Sequence, residues 1–233
     1  INSRATAAAP SDVLTVPSCT TGPRHGQHTT MPPKKMREKV PPATFFKLQD
    51  RLNTFLGYDF PPGPKCMKMY LSINLQKGGT LPFCLFLMYY FDNYSMSAWL
   101  YTAAHGSYGL CWLLKHFAMP DPKWEADTTV LAQVNILALI LLPYWLAAYL
   151  LISGKAPEPP IETCFIGLML YIMGVVIMMT ADAQKHFTLK YKKGLITTGM
   201  FALIRHPNYL GEMMIYGGFA TMVPHWIPKA MLA

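Results

Sequence analysis

From residue 81 onward the chain carries apolar runs of bilayer-spanning length, and these constrain its fold more than any other feature. The runs are 81–101, interrupted by Asp92-Asn93, then 103–119, 130–152, 161–180 and 208–223, the last closed by Pro224 and Pro228. A helix rises about 1.5 Å per residue, so roughly 20 apolar residues cross a hydrocarbon core about 30 Å thick. Runs of this length predict helices rather than strands. The run 130–152 is the clearest span, and Pro143 predicts a kink within it.

The 233 residues are 52% hydrophobic and only 14% charged, and the apolar share is concentrated after residue 80. The expected architecture is all-α: a multi-pass integral membrane helical bundle with a polar N-terminal arm. Residues 1–43 form the arm, 44–79 an amphipathic interfacial segment and 80–233 the membrane domain. The arm is rich in Ala, Thr, Ser and Pro, with Asp12 and Glu38 its only acids, and it starts at Ile1, not Met. That composition resembles the tail of an organelle transit peptide on a longer precursor, and equally a disordered arm without targeting value. Phe45, Phe46, Leu48, Leu52, Phe55 and Leu56 recur at roughly helical spacing, which suits a helix on the membrane or one packed on the main domain. Pro61-Pro62-Gly63-Pro64 ends it, and Gly78-Gly79 predicts a turn before the first span.

The formal charge of +8 comes mainly from the arm and the 185–205 region. Lys185, Lys190, Lys192, Lys193 and Arg205 lie between the last two spans, whereas the 153–160 loop holds only Lys155. The positive-inside rule places the first loop on the cytoplasmic, stromal or matrix side. The basic arm, with Lys34, Lys35, Arg37 and Lys39, falls on the same side if four spans separate the two. Such charge reads as topology and lipid headgroup contact, not nucleic-acid binding, for which no motif is present.

Other chemistries find no support. Cys84, Cys111 and Cys164 sit in apolar runs, where a thiol behaves as a small hydrophobe. The chain has no Cys/His metal spacing, Gly-rich dinucleotide fingerprint, phosphate-binding lysine loop or serine-hydrolase elbow. No metal site is expected. A nucleotide cofactor would have to be held by membrane helices and their loops.

Polar side chains at membrane depth are costly and therefore candidates. They are Asp92, Asn93, His105, Ser107, Tyr108, Gln133 and Asn135. His105 and Tyr108 share a helix face, and a polarised Tyr hydroxyl can protonate a substrate carbanion or enolate. The same two residues also suit an interfacial anchor. Gly167, Gly174, Gly217 and Gly218 predict close helix packing.

The octapeptide Arg205-His206-Pro207-Asn208-Tyr209-Leu210-Gly211-Glu212 opens the last span. Pro207 fits the first helical position, with His206 near the N-cap. The helix start attracts anions, and Arg205 just outside it can hold a phosphate in a fork. Tyr209 offers a ring and a hydroxyl. Glu212 can fix Arg205 or accept from a ribose. An interfacial anchor uses the same residue types.

The run 180–212, with Asp182, Gln184, Lys185, Phe187, Gly194 and Gly199 ahead of the octapeptide, resembles the C-terminal signature of the steroid 5-alpha-reductase-like (DUF1295) membrane family. Sterol reductases and isoprenylcysteine carboxyl methyltransferases share related folds. The run His105–Gly109, followed by Trp112 and Lys115, resembles the same branch. The resemblance implies an NADPH-dependent reduction of a carbon–carbon double bond in a lipid or sterol-like substrate. Tyr108 and His105 would then be catalytic, and Arg205, His206, Asn208, Tyr209, Glu212, Lys190, Lys193 and Gln184 cofactor-binding. The related alternative places S-adenosylmethionine at the same turn for methylation of a lipidated or phospholipid acceptor. A third is a non-catalytic membrane subunit of a larger complex. Members of the family continue past this last span to a Glu/Arg/Tyr-containing segment, whereas this chain stops at Ala233. The expected location is the endoplasmic reticulum or a plastid or mitochondrial membrane.

Overall fold

The structure is a computed structural model that describes Phe60 and residues 62–232; the expectations for 1–43 and for 44–59 lie outside these. The described residues are mostly helical. Short strands β1 (Lys65–Lys68) and β2 (Asp127–Thr129) pair antiparallel, with Lys65 opposite Thr129 and Lys68 opposite Asp127. This pair is an addition to the all-α expectation. Strands this short carry too few apolar positions to announce themselves in sequence.

Helix α1 is Tyr70–Tyr90 and α2 is Met96–Ala118. The break between them lies at 91–95, not near 102 where the apolar pattern places it. Asp92 adopts a left-handed backbone (φ 50°), which a short polar side chain tolerates. Asn93 Nδ2 donates to the Ile152 carbonyl at 2.8 Å, and its Oδ1 accepts from Ser95 N–H at 3.1 Å. Ser95 then caps α2 by accepting from Ala98 N–H. Asp92 and Asn93 are therefore the turn itself, not polar residues inside a span.

Gly78-Gly79 does not turn. Both lie inside α1, where a Cβ would meet Leu113 at 3.1 Å and the Trp145 ring at 3.3 Å. They serve close packing, and α1 runs through the expected boundary at 79/80. At the N-terminal end of α1, Gln133 clasps the strand pair. Its Nε2 donates to the Lys68 carbonyl (3.2 Å) and Thr128 Oγ1 (2.6 Å), and its Oε1 accepts from Ser72 N–H and hydroxyl. Gln133 is a structural residue.

The segment Val130–Ile152 is long and apolar enough to cross a membrane. It is continuous but irregular: α3 (Val130–Asn135), a π turn (Ile136–Leu141), a 3-10 turn (Leu142–Trp145) and α4 (Leu146–Ile152). Pro143, without an N–H to donate, sits in the tightened turn, as its sequence position predicts. Helix α5 (Ile161–Tyr191) also has the length and composition to cross. Its 31 residues span about 46 Å at 1.5 Å each, well beyond an apolar core of about 30 Å. The excess is its polar last turns, which carry Asp182, Gln184, Lys185 and Lys190.

After the short helix α6 (Met200–Leu203), α7 (Pro207–Met222) returns antiparallel along α5, and α8 (Trp226–Ala230) follows. Glycines make the α5–α7 contact. A Cβ on Gly174 would lie 2.6 Å from the Gly211 carbonyl oxygen, and one on Gly218 would lie 2.5 Å from that of Gly167. The heptad spacing 167/174 meets 211/218. Gly217 faces open space and takes no part in this contact; the fourth glycine is Gly211, within the octapeptide.

Candidate functional site

Each residue of the run His105–Gly109 has a distinct neighbour. Gly109 rests on α1, where a Cβ would overlap the Lys77 carbonyl oxygen, and Gly106 faces Leu81. Ser107 Oγ lies 2.8 Å from the Tyr171 hydroxyl on α5. His105 and Tyr108 turn together toward α7. The His105 ring is 4.4 Å from Phe219, and its Nδ1 is 3.1 Å from the Tyr101 hydroxyl. The His105 Nε2 is buried and has no hydrogen-bond partner among the described residues. It lines a gap of about 30 Å³ together with Tyr101, Tyr144 and Tyr216. The i, i+3 spacing thus puts both side chains on one face, and that face is interior, not interfacial.

The Tyr108 hydroxyl lies 3.3 Å from that of Tyr216 on α7, and Lys77 Nζ on α1 donates to Tyr216 at 3.1 Å. Lys77 is 4% exposed, and its Nζ sits 4.5 Å over the Tyr108 ring and 5.3–5.7 Å from the rings of Tyr144, Tyr216 and Trp112. Outward from it, Lys115 Nζ holds Asp182 Oδ2 at 2.6 Å and stands 4.1 Å over Trp112. Glu212 interacts electrostatically with Lys115, Asp182 and Lys77. It forms no ion pair with Arg205 among the described residues, contrary to the sequence expectation. Arg205 precedes the helix, whereas Glu212 is in its second turn and phased toward α1 and α5.

Beyond the Lys115–Asp182 pair opens a cleft of about 500 Å³, lined by Lys115, Asp121, Asp182, Lys185, His186 and Lys190 together with apolar residues of the α2–β2 loop. Lys185 Nζ contacts Asp121 Oδ2 at 3.3 Å, and Lys123 N–H donates to Asp121 Oδ1 at 3.0 Å. Burial pushes the Asp121 carboxyl up, but the Lys123 N–H and the Lys185 ammonium outweigh it and leave its pKa lowered. A carboxylate with a lowered folded pKa adds stability above its unfolded pKa, and this is lost as pH falls through the folded value. Acidification below the usual carboxylate range is therefore expected to loosen the 119–123 loop. Hydrogen exchange of these amides at neutral pH and near pH 3 checks it.

The expected cofactor residues divide. Lys190 lines the cleft and is exposed. Lys193 and Arg205 are exposed and make no ion pair among the described residues. His206 stacks on Tyr209 at 5.4 Å, Tyr209 is exposed, and Asn208 is half-buried in the first turn. None of these four octapeptide residues lines the cleft. Gln184 has both amide atoms engaged by the loop: Nε2 donates to the Thr198 carbonyl (2.8 Å) and Oε1 accepts from Met200 N–H (3.1 Å). Gly199, at φ 57°, lies against that amide with no room for a Cβ. Gln184 thus shapes the loop behind the octapeptide.

Lys77, Tyr216 and the Lys115–Asp182 pair escaped the sequence pattern. Lys77 falls before the first expected span. Tyr216 has the only sequence signal available, a phenol amid an apolar run.

Taken together, the described residues define a helical bundle with a buried polar cluster and a charged cleft at one end. Residues 116–231 match the family described as "Protein of unknown function (DUF1295)". The C-terminal half of the chain belongs to this family, whose known kind is steroid-reductase-like. No curated protein and no solved structure matches the chain.

Proposed function

We propose that the protein is a multi-pass membrane oxidoreductase that reduces a carbon–carbon double bond of a lipid or sterol-like substrate with NADPH. The observation that carries this reading is the Tyr108–Tyr216 hydroxyl pair held by Lys77 inside an apolar bundle of the steroid-reductase-like kind. A phenol in that setting is a proton donor shielded from bulk water. The donor set fits an anionic cofactor: Lys190, Lys193 and Arg205 have no carboxylate partner among the described residues, whereas Lys115 and Lys185 are paired to Asp182 and Asp121. Lys190 would hold a phosphate at the cleft, and Arg205 with the start of α7 would hold another. NADPH, when bound, supplies a hydride. The chain itself excludes water, orients the substrate and holds the proton at the Tyr108 hydroxyl. In this reading α1, α2, Val130–Ile152, α5 and α7 all lie in the membrane of the endoplasmic reticulum or of an organelle.

Isothermal titration in detergent with NADPH and with S-adenosylmethionine tests it; binding of the methyl donor alone makes this a methyltransferase. Arg205→Ala is expected to weaken NADPH binding roughly tenfold to hundredfold, since a hydrogen bond to a charged group is worth about 1.5–3 kcal/mol. Arg205→Lys keeps the charge but loses the fork and is expected to recover only part of the affinity. Full recovery by lysine makes Arg205 an interfacial anchor, because a snorkelling ammonium serves that role equally well.

A further inference from the structure

We propose that Lys77 is a positioning residue of the reaction, holding the Tyr216–Tyr108 pair in proton-donating register and returning its proton after each turnover. The inference rests on the reductase reading above. Stability alone does not explain Lys77. It is buried among Tyr108, Trp112, Tyr144 and Tyr216, and no carboxylate lies within ion-pair distance among the described residues. A buried cation without an ion-pair partner is costly, and apolar residues commonly replace such groups with a gain in stability. The single hydrogen bond it makes is to the Tyr216 hydroxyl, and that hydroxyl lies next to Tyr108. Gly109 brings this about, since only a residue without a Cβ lets α2 approach the Lys77 carbonyl so closely. The approach sets the Tyr108 ring 4.5 Å beneath the Lys77 nitrogen.

The proton path balances. A bound nicotinamide cofactor would supply the hydride for one alkene carbon. The proton for the other carbon breaks the Tyr108 O–H bond, whose electron pair stays on the phenolate oxygen. Tyr216 gives that oxygen its own proton across 3.3 Å, and Lys77 Nζ gives one to Tyr216 across 3.1 Å. Solvent re-protonates the amine, from the direction of Glu212 and the Lys115–Asp182 pair.

Lys77→Met tests the assignment in the full-length protein. Two readouts apply: steady-state NADPH oxidation, and the tyrosine doublet in ultraviolet resonance Raman spectra, which reports whether a phenol oxygen accepts a hydrogen bond and needs no cofactor. The expected result is a kcat about 10²-fold lower with KM within roughly twofold, the effect size of a lost general acid, together with a shifted doublet. Tyr216→Phe removes the same hydrogen bond from the other side and serves if Lys77→Met does not fold; the same kcat loss is expected. An unchanged kcat in a folded variant, or an unchanged doublet, overturns the proposal and leaves the reductase reading standing. Wild type that neither binds nor oxidises NADPH overturns both.

Discussion

Gly174→Val is expected to loosen α7 from α5 and to lower the melting temperature well below that of wild type. A Cβ at 174 would lie 2.6 Å from the Gly211 carbonyl oxygen and 2.8 Å from the Ile215 nitrogen, both backbone atoms that cannot rotate away. Overpacking of a core commonly costs about 1–3 kcal/mol. A clash with helix backbone belongs at the top of that range or above it, because relief requires moving the whole of α7. For a chain of this size, 3 kcal/mol lowers the melting temperature by roughly 6–12 °C. Gly217→Val is the control: nothing lies within 4 Å of its Cβ position, and valine is a somewhat better helix former than glycine. A melting temperature within a degree or two of wild type is expected there. Thermal melts followed by size-exclusion in one detergent compare the two. Equal effects would mean that the glycine contact does not hold α5 to α7.

Lys115→Met is expected to be the most destabilising change at the inner wall of the cleft. The Lys115 and Asp182 side chains are only 12% and 16% exposed, and their charged atoms lie 2.6 Å apart. Breaking such a pair from one side costs about 3–5 kcal/mol, since it strands a desolvated charge. The cost here falls on two acids, because Glu212 also interacts with Lys115. Asp182→Asn is expected to cost less, as it leaves Lys115 facing Glu212. The double variant Lys115→Met/Asp182→Leu is expected to recover most of the loss, because an apolar pair needs no counter-charge. A double-mutant cycle on melting temperature measures this, and a strictly additive result would make the pair energetically idle.

The location of the two expectations that failed most clearly is informative. Asp92-Asn93 appears as a polar interruption of a span because local hydropathy cannot tell a turn between two helices from a polar defect within one. The difference lies in the Ile152 carbonyl, which Asn93 reaches across 59 positions of sequence. Gly78-Gly79 reads as a turn because paired glycines often are one. Here the side chains of Leu113 and Trp145 fill the space above them, and no local signal encodes that.

Within the octapeptide the division is equally physical. Pro207 as the first helical residue was legible, since a missing N–H and a fixed φ are properties of proline alone. The inward facing of Glu212 was not, since it depends on which neighbour α7 packs against.

By itself, then, the sequence determined the helical character, the irregularity at Pro143, the long apolar α5 and the family of the C-terminal half. These follow from residue types and spacings a few positions apart, where backbone chemistry dominates. Tertiary structure alone decided that Lys77, Tyr108 and Tyr216 meet, that Gly211 pairs with Gly174, and that Lys115 neutralises Asp182. Each of these joins residues 30 to 140 positions apart, and the close approach of helix backbones at glycine, not any local preference, brings them together.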